Sequence, residues 1–118
     1  MKRGEVWTVA GSPDYAGKLR PAVIVQDDVF DATASITLCP FTTHTTTAPL
    51  LRLAVEPSER NGLRTASQLM IDKITTVAKS KLETRVGRLS DEDIVRLNRA
   101  ILVFLGLAGS SSKMRGSG

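Results

Sequence analysis

Two rhythms of apolar residues divide the chain. Between residues 5 and 77 apolar side chains come in short runs rich in Val, Ile, Leu and Thr, broken by clusters of Gly, Pro, Ser, Asn and Asp; after residue 90 they recur every three to four positions. The first rhythm is that of strands and the second that of a helix, because side chains alternate across a strand and return to one helix face about every 3.6 residues. Strands are expected at Glu5 to Val9, Arg20 to Val25, Ser35 to Phe41 and Leu50 to Val55, with Ser67 to Ile71 and Lys73 to Val77 forming one long strand or two short ones. Pro21 is tolerated at a strand start or an edge. Gly11 to Gly17 carries turn residues at almost every position and reads as a surface loop, and Pro57 to Gly62 as a turn of the Asn-Gly type. Strands this short and this regularly spaced predict a mainly β fold, a small barrel or curled sheet, rather than a parallel α/β fold with helices between strands.

The helix begins at Ser90, whose hydroxyl can cap it, with Asp91, Glu92 and Asp93 in the first turn where the helix dipole favours negative charge. Ile94, Leu97, Ile101 and Leu105 form its buried stripe, and Gly106 and Gly109 end it. Val103, Phe104 and Leu107 make the last turns apolar nearly all round. Cover by a partner subunit, or by a deeper groove in the same subunit, would explain this equally well.

Composition narrows the picture. A chain of 118 residues with 42% hydrophobic and 24% charged residues is that of one ordinary globular domain, expected over residues 1–108. Residues 109–118 read as a flexible tail, in part appended residues. The longest apolar stretch, Ala100 to Ala108, is far short of the roughly 20 residues that cross a bilayer. No apolar run follows the basic N-terminus, so a cytoplasmic location without membrane contact is expected. Cys39, the single cysteine, lies in an apolar run and reads as a small buried hydrophobe rather than a nucleophile. The formal charge of +4 falls to 14 basic against 12 acidic residues once Lys113 and Arg115 of the tail are set aside. That excess permits contact with phosphate without announcing it, so the case rests on particular residues.

The chain has no cysteine or histidine pair and no acidic cluster at metal-ligand spacing, no phosphate-cradling glycine loop followed by lysine and no serine nucleophile elbow. Neither a bound metal nor a cofactor is expected. What remains is a set of polar residues at the mouths of strands: Lys18 and Arg20, then Thr42, Thr43 and His44, then Asp72 and Lys73. Arg20 stands where a loop meets a sheet, which fixes its root and leaves its head accessible. Ordinary alternatives exist for each. Thr42 lies in a threonine-rich loop, Asp72 could serve as a structural partner of a lysine or arginine, His44 could be a solvated loop histidine, and Trp7 fits a core or subunit interface better than a base-stacking platform.

Four blocks of this sequence, in order, resemble those of the MazF/PemK toxins: Lys2-Arg3-Gly4-Glu5-Val6-Trp7, Leu19-Arg20-Pro21-Ala22-Val23-Ile24-Val25-Gln26-Asp27, Cys39-Pro40-Phe41-Thr42-Thr43, and Ser67 to Val77 with Asp72-Lys73-Ile74-Thr75-Thr76-Val77. A Gly87-Arg88-Leu89 lead into the C-terminal helix follows, so the resemblance covers about residues 2 to 108. It implies an SH3-like curled antiparallel barrel, a homodimer, and metal-independent cleavage of single-stranded RNA at a short sequence, silenced by a cognate antitoxin. The catalytic arginine and threonine of the family fall on Arg20 and Thr42, and an aspartate used in the PemK branch falls on Asp72; Lys18, Thr43, His44 and Lys73 are then candidate RNA contacts. The chain departs from the family in its shorter loop before the arginine, Asp14-Tyr15-Ala16-Gly17-Lys18, in Lys73 where glutamine is common, and in Met70 where PemK has an arginine.

These residue types suit the implied chemistry. RNA is cut when its 2′-hydroxyl attacks the adjacent phosphorus, so an enzyme has to orient that attack, assist proton movement and stabilise a doubly charged phosphorane. Arg20 offers a permanently charged fork matched to two phosphate oxygens, and Thr42 one donor and two lone pairs. Asp72 could accept a proton or hydrogen-bond Arg20. A basic concave site of this kind would also accept an acidic, partly disordered antitoxin segment. The competing expectations are a poison resembling CcdB, which binds DNA gyrase without cutting, and a non-catalytic SH3-like module, disfavoured because 4% aromatic residues are too few for an aromatic-lined peptide groove.

Overall fold

The computed structural model describes residues 1–10 and 19–108, and within them the chain forms seven strands and one α-helix. The strands are β1 (Glu5–Val9), β2 (Arg20–Ile24), β3 (Ser35–Thr42), β4 (Arg52–Val55), β5 (Ser67–Met70), β6 (Thr75–Ala78) and β7 (Leu82–Arg88), followed by α1 (Asp91–Phe104). All pairings are antiparallel, in the order β4-β5-β3-β2-β1-β7, with β6 also on β3. The eight-residue β3 organises the curl. Along one edge it pairs with β2; along the other, its first half pairs with β6 and its last two residues with β5. A single 3-10 turn, Ile71–Lys73, carries the chain round the corner between β5 and β6.

Side-chain alternation on β3 separates two cores. Cys39 and Phe41 enter the larger one, with Val6, Val23, Leu69, Ile71, Leu89 and the helix residue Leu97. Ile36 and Leu38 point the other way, into a smaller cluster with Ala22, Ile24 and Leu82 inside the curl, against which Trp7, Val9 and Val77 pack. Trp7 is thus a packing residue, half-buried, with its indole N–H donating to Glu5 at 3.0 Å. Burying one such leucine fully is worth about 1.5–3 kcal/mol, so Leu97 alone anchors much of the helix. The Ser90 hydroxyl accepts from the Asp93 N–H at 3.1 Å, and Arg96 ties the helix to β4 through the Ala54 carbonyl at 2.9 Å. At the far end Gly106 takes φ +73°, and the N–H groups of Gly106 and Leu107 close on the carbonyls of Val103 and Leu102.

Several expectations need correction. β7, absent from the strands read from sequence, is the partner that lets β1 pair on both edges. β4 starts at Arg52, two residues later than expected, while Ser67 to Val77 takes the second of its two expected forms, two short strands. The turn expected over Pro57 to Gly62 is present at residues 59–61, though not as a two-residue hairpin. It lies within a wide loop that Asn61 stitches by accepting from Ser58 and Leu63 and donating to Glu56. That loop crosses β7 so closely that a Cβ on Gly87 would lie 2.4 Å from the Arg60 carbonyl. Leu105 is not in the buried stripe: with Leu102, Val103, Phe104 and Leu107 it leaves an exposed apolar helix end. Lys18, the Gly11–Gly17 loop, Gly109 and the tail lie outside the described residues. No described helix is long and apolar enough to cross a membrane.

Candidate functional site

Arg20 opens β2 and Thr42 closes β3. The β2–β3 register ends at Ala22 opposite Pro40, and carrying its count on by two residues would set Arg20 level with Thr42. Both are half-buried and line a cleft of about 440 Å³ with Thr43, His44 and Lys73, over Phe41 and Met70. The exposed His44 donates its backbone N–H to the Thr42 hydroxyl oxygen at 3.1 Å, which sets the direction of the hydroxyl's remaining lone pair and its proton.

Arg20 and Lys73 also belong to a second, adjoining cleft of about 290 Å³ at the mouth of the curl. Its floor is apolar, made by Ala22, Leu38, Pro40 and Val77, and Lys81 stands on its rim. Val9 is the ladder partner of Arg20 on one side and of Leu82 on the other, and Ala10 donates to the Lys81 carbonyl at 2.8 Å. Arg20 and Lys81 therefore flank the end of β1, about 10 Å apart by strand spacing. Among the described residues both clefts are lined by cations and by no carboxylate, an arrangement that favours an anionic ligand.

The 3-10 turn sends its three side chains in three directions, as its three residues per turn require. Ile71 is fully buried, Lys73 enters the two clefts, and Asp72 points away from both. Asp72 lines a separate groove with Arg3, Ile101 and Phe104 and is ion-paired with Arg52 of β4. Burial works to raise the Asp72 carboxyl, but the hydrogen bond and charge of Arg52, with Lys73, outweigh it and hold the group below the ordinary carboxylate range. The structure thus brings together Arg20, Thr42, Thr43, His44 and Lys73, and does not bring Asp72 to them. Cys39 is buried, donates to the Met70 carbonyl, and has its thiol pushed up to about 12 by burial and by the charge of Asp72, which fits a packing residue and not a nucleophile.

Sequence reading missed Lys81, Arg52 and Gln68. Lys81 reaches the site only because β7 returns beside β1. Arg52 meets Asp72 because β4 pairs it with Met70, two residues before the aspartate. Gln68, the ladder partner of Thr42, has no signature apart from that pairing.

Comparison with known proteins shows the family and the fold. The family described as PemK-like, MazF-like toxins of type II toxin–antitoxin systems matches residues 2–105. The "Probable endoribonuclease MazF" of Mycolicibacterium smegmatis is 59% identical over 109 residues, covering 92% of this chain and all of that one. Endoribonuclease MazF9 of Mycobacterium tuberculosis is 28% identical, with 91% and 98% covered. Among solved structures, a mycobacterial endoribonuclease in complex with its cognate antitoxin superposes with a TM-score of 0.75 at 26% identity, over 91% of this chain and 96% of that chain.

Proposed function

Because the chain belongs to the PemK-like, MazF-like toxins of type II toxin–antitoxin systems, we propose that its paired clefts bind single-stranded RNA and cleave it without a metal. The observation that carries this reading is that Arg20 and Thr42 line one cleft with Lys73 and with no carboxylate among its lining residues. Arg20 forks onto the non-bridging oxygens of the scissile phosphate and stabilises the charge that builds up on the phosphorane. Thr42 holds a phosphate oxygen or orients the 2′-hydroxyl. As the bond from the 2′-oxygen to phosphorus forms, that oxygen gives up its proton, the bond to the 5′-oxygen breaks, and the 5′-oxygen takes a proton. The products are a 2′,3′-cyclic phosphate and a 5′-hydroxyl. Thr43, His44 and Lys73 contact the strand beside the cut, and the apolar floor under Lys81 receives a neighbouring nucleotide. Asp72 braces the turn through Arg52 instead of acting on RNA.

The exposed apolar end of α1 supports a homodimer in which a second copy covers it. A cytoplasmic location and silencing by an acidic, partly disordered antitoxin segment that competes with RNA for the cations complete the reading. The relatives named as endoribonucleases favour cutting over a gyrase-binding poison. The test is incubation of the purified protein with single-stranded RNA in excess chelator, with end-group analysis. Discrete cuts ending in cyclic phosphate are expected; intact RNA, or cleavage only after metal is added, would overturn the proposal.

A further inference from the structure

Gln68 lies directly across the β3–β5 ladder from Thr42, at the point where β3 gives way to the threonine-rich loop. Its side chain does not pack into the sheet. It reaches residue 46 and makes two hydrogen bonds there: the Thr46 N–H donates to its carbonyl oxygen at 3.1 Å, and its amide N–H donates to the Thr46 carbonyl at 3.1 Å. A carboxamide is suited to this, because it presents one donor side and one acceptor side in a plane, the complement of a peptide's own N–H and C=O. The pair imitates one more rung of a ladder beyond the end of β3.

The loop stitched in this way carries the cleft. Residues 43 to 47 are exposed, yet Thr42, Thr43 and His44 line the site, and the backbone N–H of His44 orients the Thr42 hydroxyl. With Thr46 fastened to Gln68 and Thr42 paired opposite the same residue, the segment between them is a short arch with both feet on one side chain's strand position. We infer that Gln68 is a positioning residue: by pinning the arch at Thr46 it holds the Thr42 hydroxyl and the His44 N–H in register with Arg20. This rests on the reading of the Arg20–Thr42 cleft as the site of RNA cleavage, and it adds a residue that touches no substrate and acts through the loop.

The role separates from a structural one by which kinetic parameter moves and by the chemistry of the replacement. Steady-state cleavage of an RNA oligonucleotide spanning a mapped cut is measured for the wild-type protein, Gln68→Leu and Gln68→Glu, alongside thermal melts. Gln68→Leu is expected to lower kcat about 10- to 100-fold, the scale of a misplaced catalytic group, with KM within about twofold of wild type and a melt that still shows the protein folded at the assay temperature. Gln68→Glu is the sharper probe. Near pH 7 its carboxylate accepts from Thr46 N–H but sets an acceptor against the Thr46 carbonyl; protonation, about pH 4.3 for an ordinary glutamate, restores a donor. Its activity relative to wild type at each pH should therefore rise as pH falls from 7 towards 4. The charged and titratable groups that line the cleft, Arg20, His44 and Lys73, are present in both proteins, so the ratio isolates the substituted position.

Wild-type kcat in Gln68→Leu, a change confined to KM, or a flat ratio for Gln68→Glu would overturn the inference while leaving the cleavage site standing. Failure of the wild-type protein itself to cut RNA would instead sink the reading beneath it.

Discussion

The two faces of β3 are built from the same eight residues and do opposite work. Cys39 and Phe41 point under the helix into a closed apolar core, and Phe41 also reaches the floor of the neighbouring cleft. Ile36, Leu38, Pro40 and Thr42 point into the curl, and along that face burial gives way step by step to a cationic cleft. Both faces depend on the pairing of β3, the first to close a core and the second to bring Thr42 into one cleft with Arg20. The contrast teaches that one alternation divides stability from chemistry. A substitution in the core that Cys39 enters should cost stability, and one at the Thr42 end of the strand should cost chemistry.

The largest expected effect lies on the closed face. Leu97→Ala, in the core that Cys39 enters, should cost about 2–5 kcal/mol in denaturant unfolding. Its cleavage rate, under conditions where the variant remains folded, should change far less than its stability. Next, on the open face, Arg20→Ala should lower kcat about 10²–10³-fold, the scale of losing a charge-stabilising donor, with an unchanged unfolding midpoint. A variant that lost stability and kept activity would break the comparison. Thr42→Val keeps the side-chain shape and removes the hydroxyl, and about a tenfold loss is expected, the equivalent of one hydrogen bond of about 1.4 kcal/mol.

Smaller still is the cap of α1, remote from both faces. Ser90→Ala should cost about 1 kcal/mol of stability without touching the rate. The smallest effect concerns Asp72, whose carboxyl is held below its ordinary value by Arg52 despite an opposing burial effect. A group whose folded pKa is depressed contributes stability above its unfolded pKa and loses it as pH falls through the folded value. The stability gap between the wild-type protein and Asp72→Asn should therefore be open at neutral pH and close below about pH 4, measured by urea unfolding across that range. At pH 7 the same variant should keep nearly full cleavage. A drop as large as that of Arg20→Ala would return Asp72 to the reacting groups.

The legible parts of this molecule were those written in local pattern. Strand runs such as Arg20 to Ile24 and the capped helix at Ser90 carry their periods and end signals within a few residues, and the structure has them at almost the same bounds. β7 was missed because Leu82-Glu83-Thr84-Arg85-Val86-Gly87-Arg88 has too few apolar residues for a strand signal. It is held by β1 and by the loop crossing Gly87, which are long-range facts. Leu105 kept the helical spacing but lies beyond the reach of the sheet, so its period did not bury it. In the site, Arg20, Thr42 and Lys73 could be named from residue type, strand-end address and family resemblance. Which way the turn at Ile71–Lys73 points its side chains could not, because three residues per turn place Asp72 and Lys73 on different sides of the sheet corner.

The central claim is that Arg20 and Thr42 act on one phosphate, and a double-mutant cycle on kcat/KM in chelator addresses it most directly. Groups that share a reacting centre are strongly non-additive. The account predicts that Arg20→Ala combined with Thr42→Val is scarcely slower than Arg20→Ala alone. Losses that simply multiply would show the two side chains working independently and would contradict it.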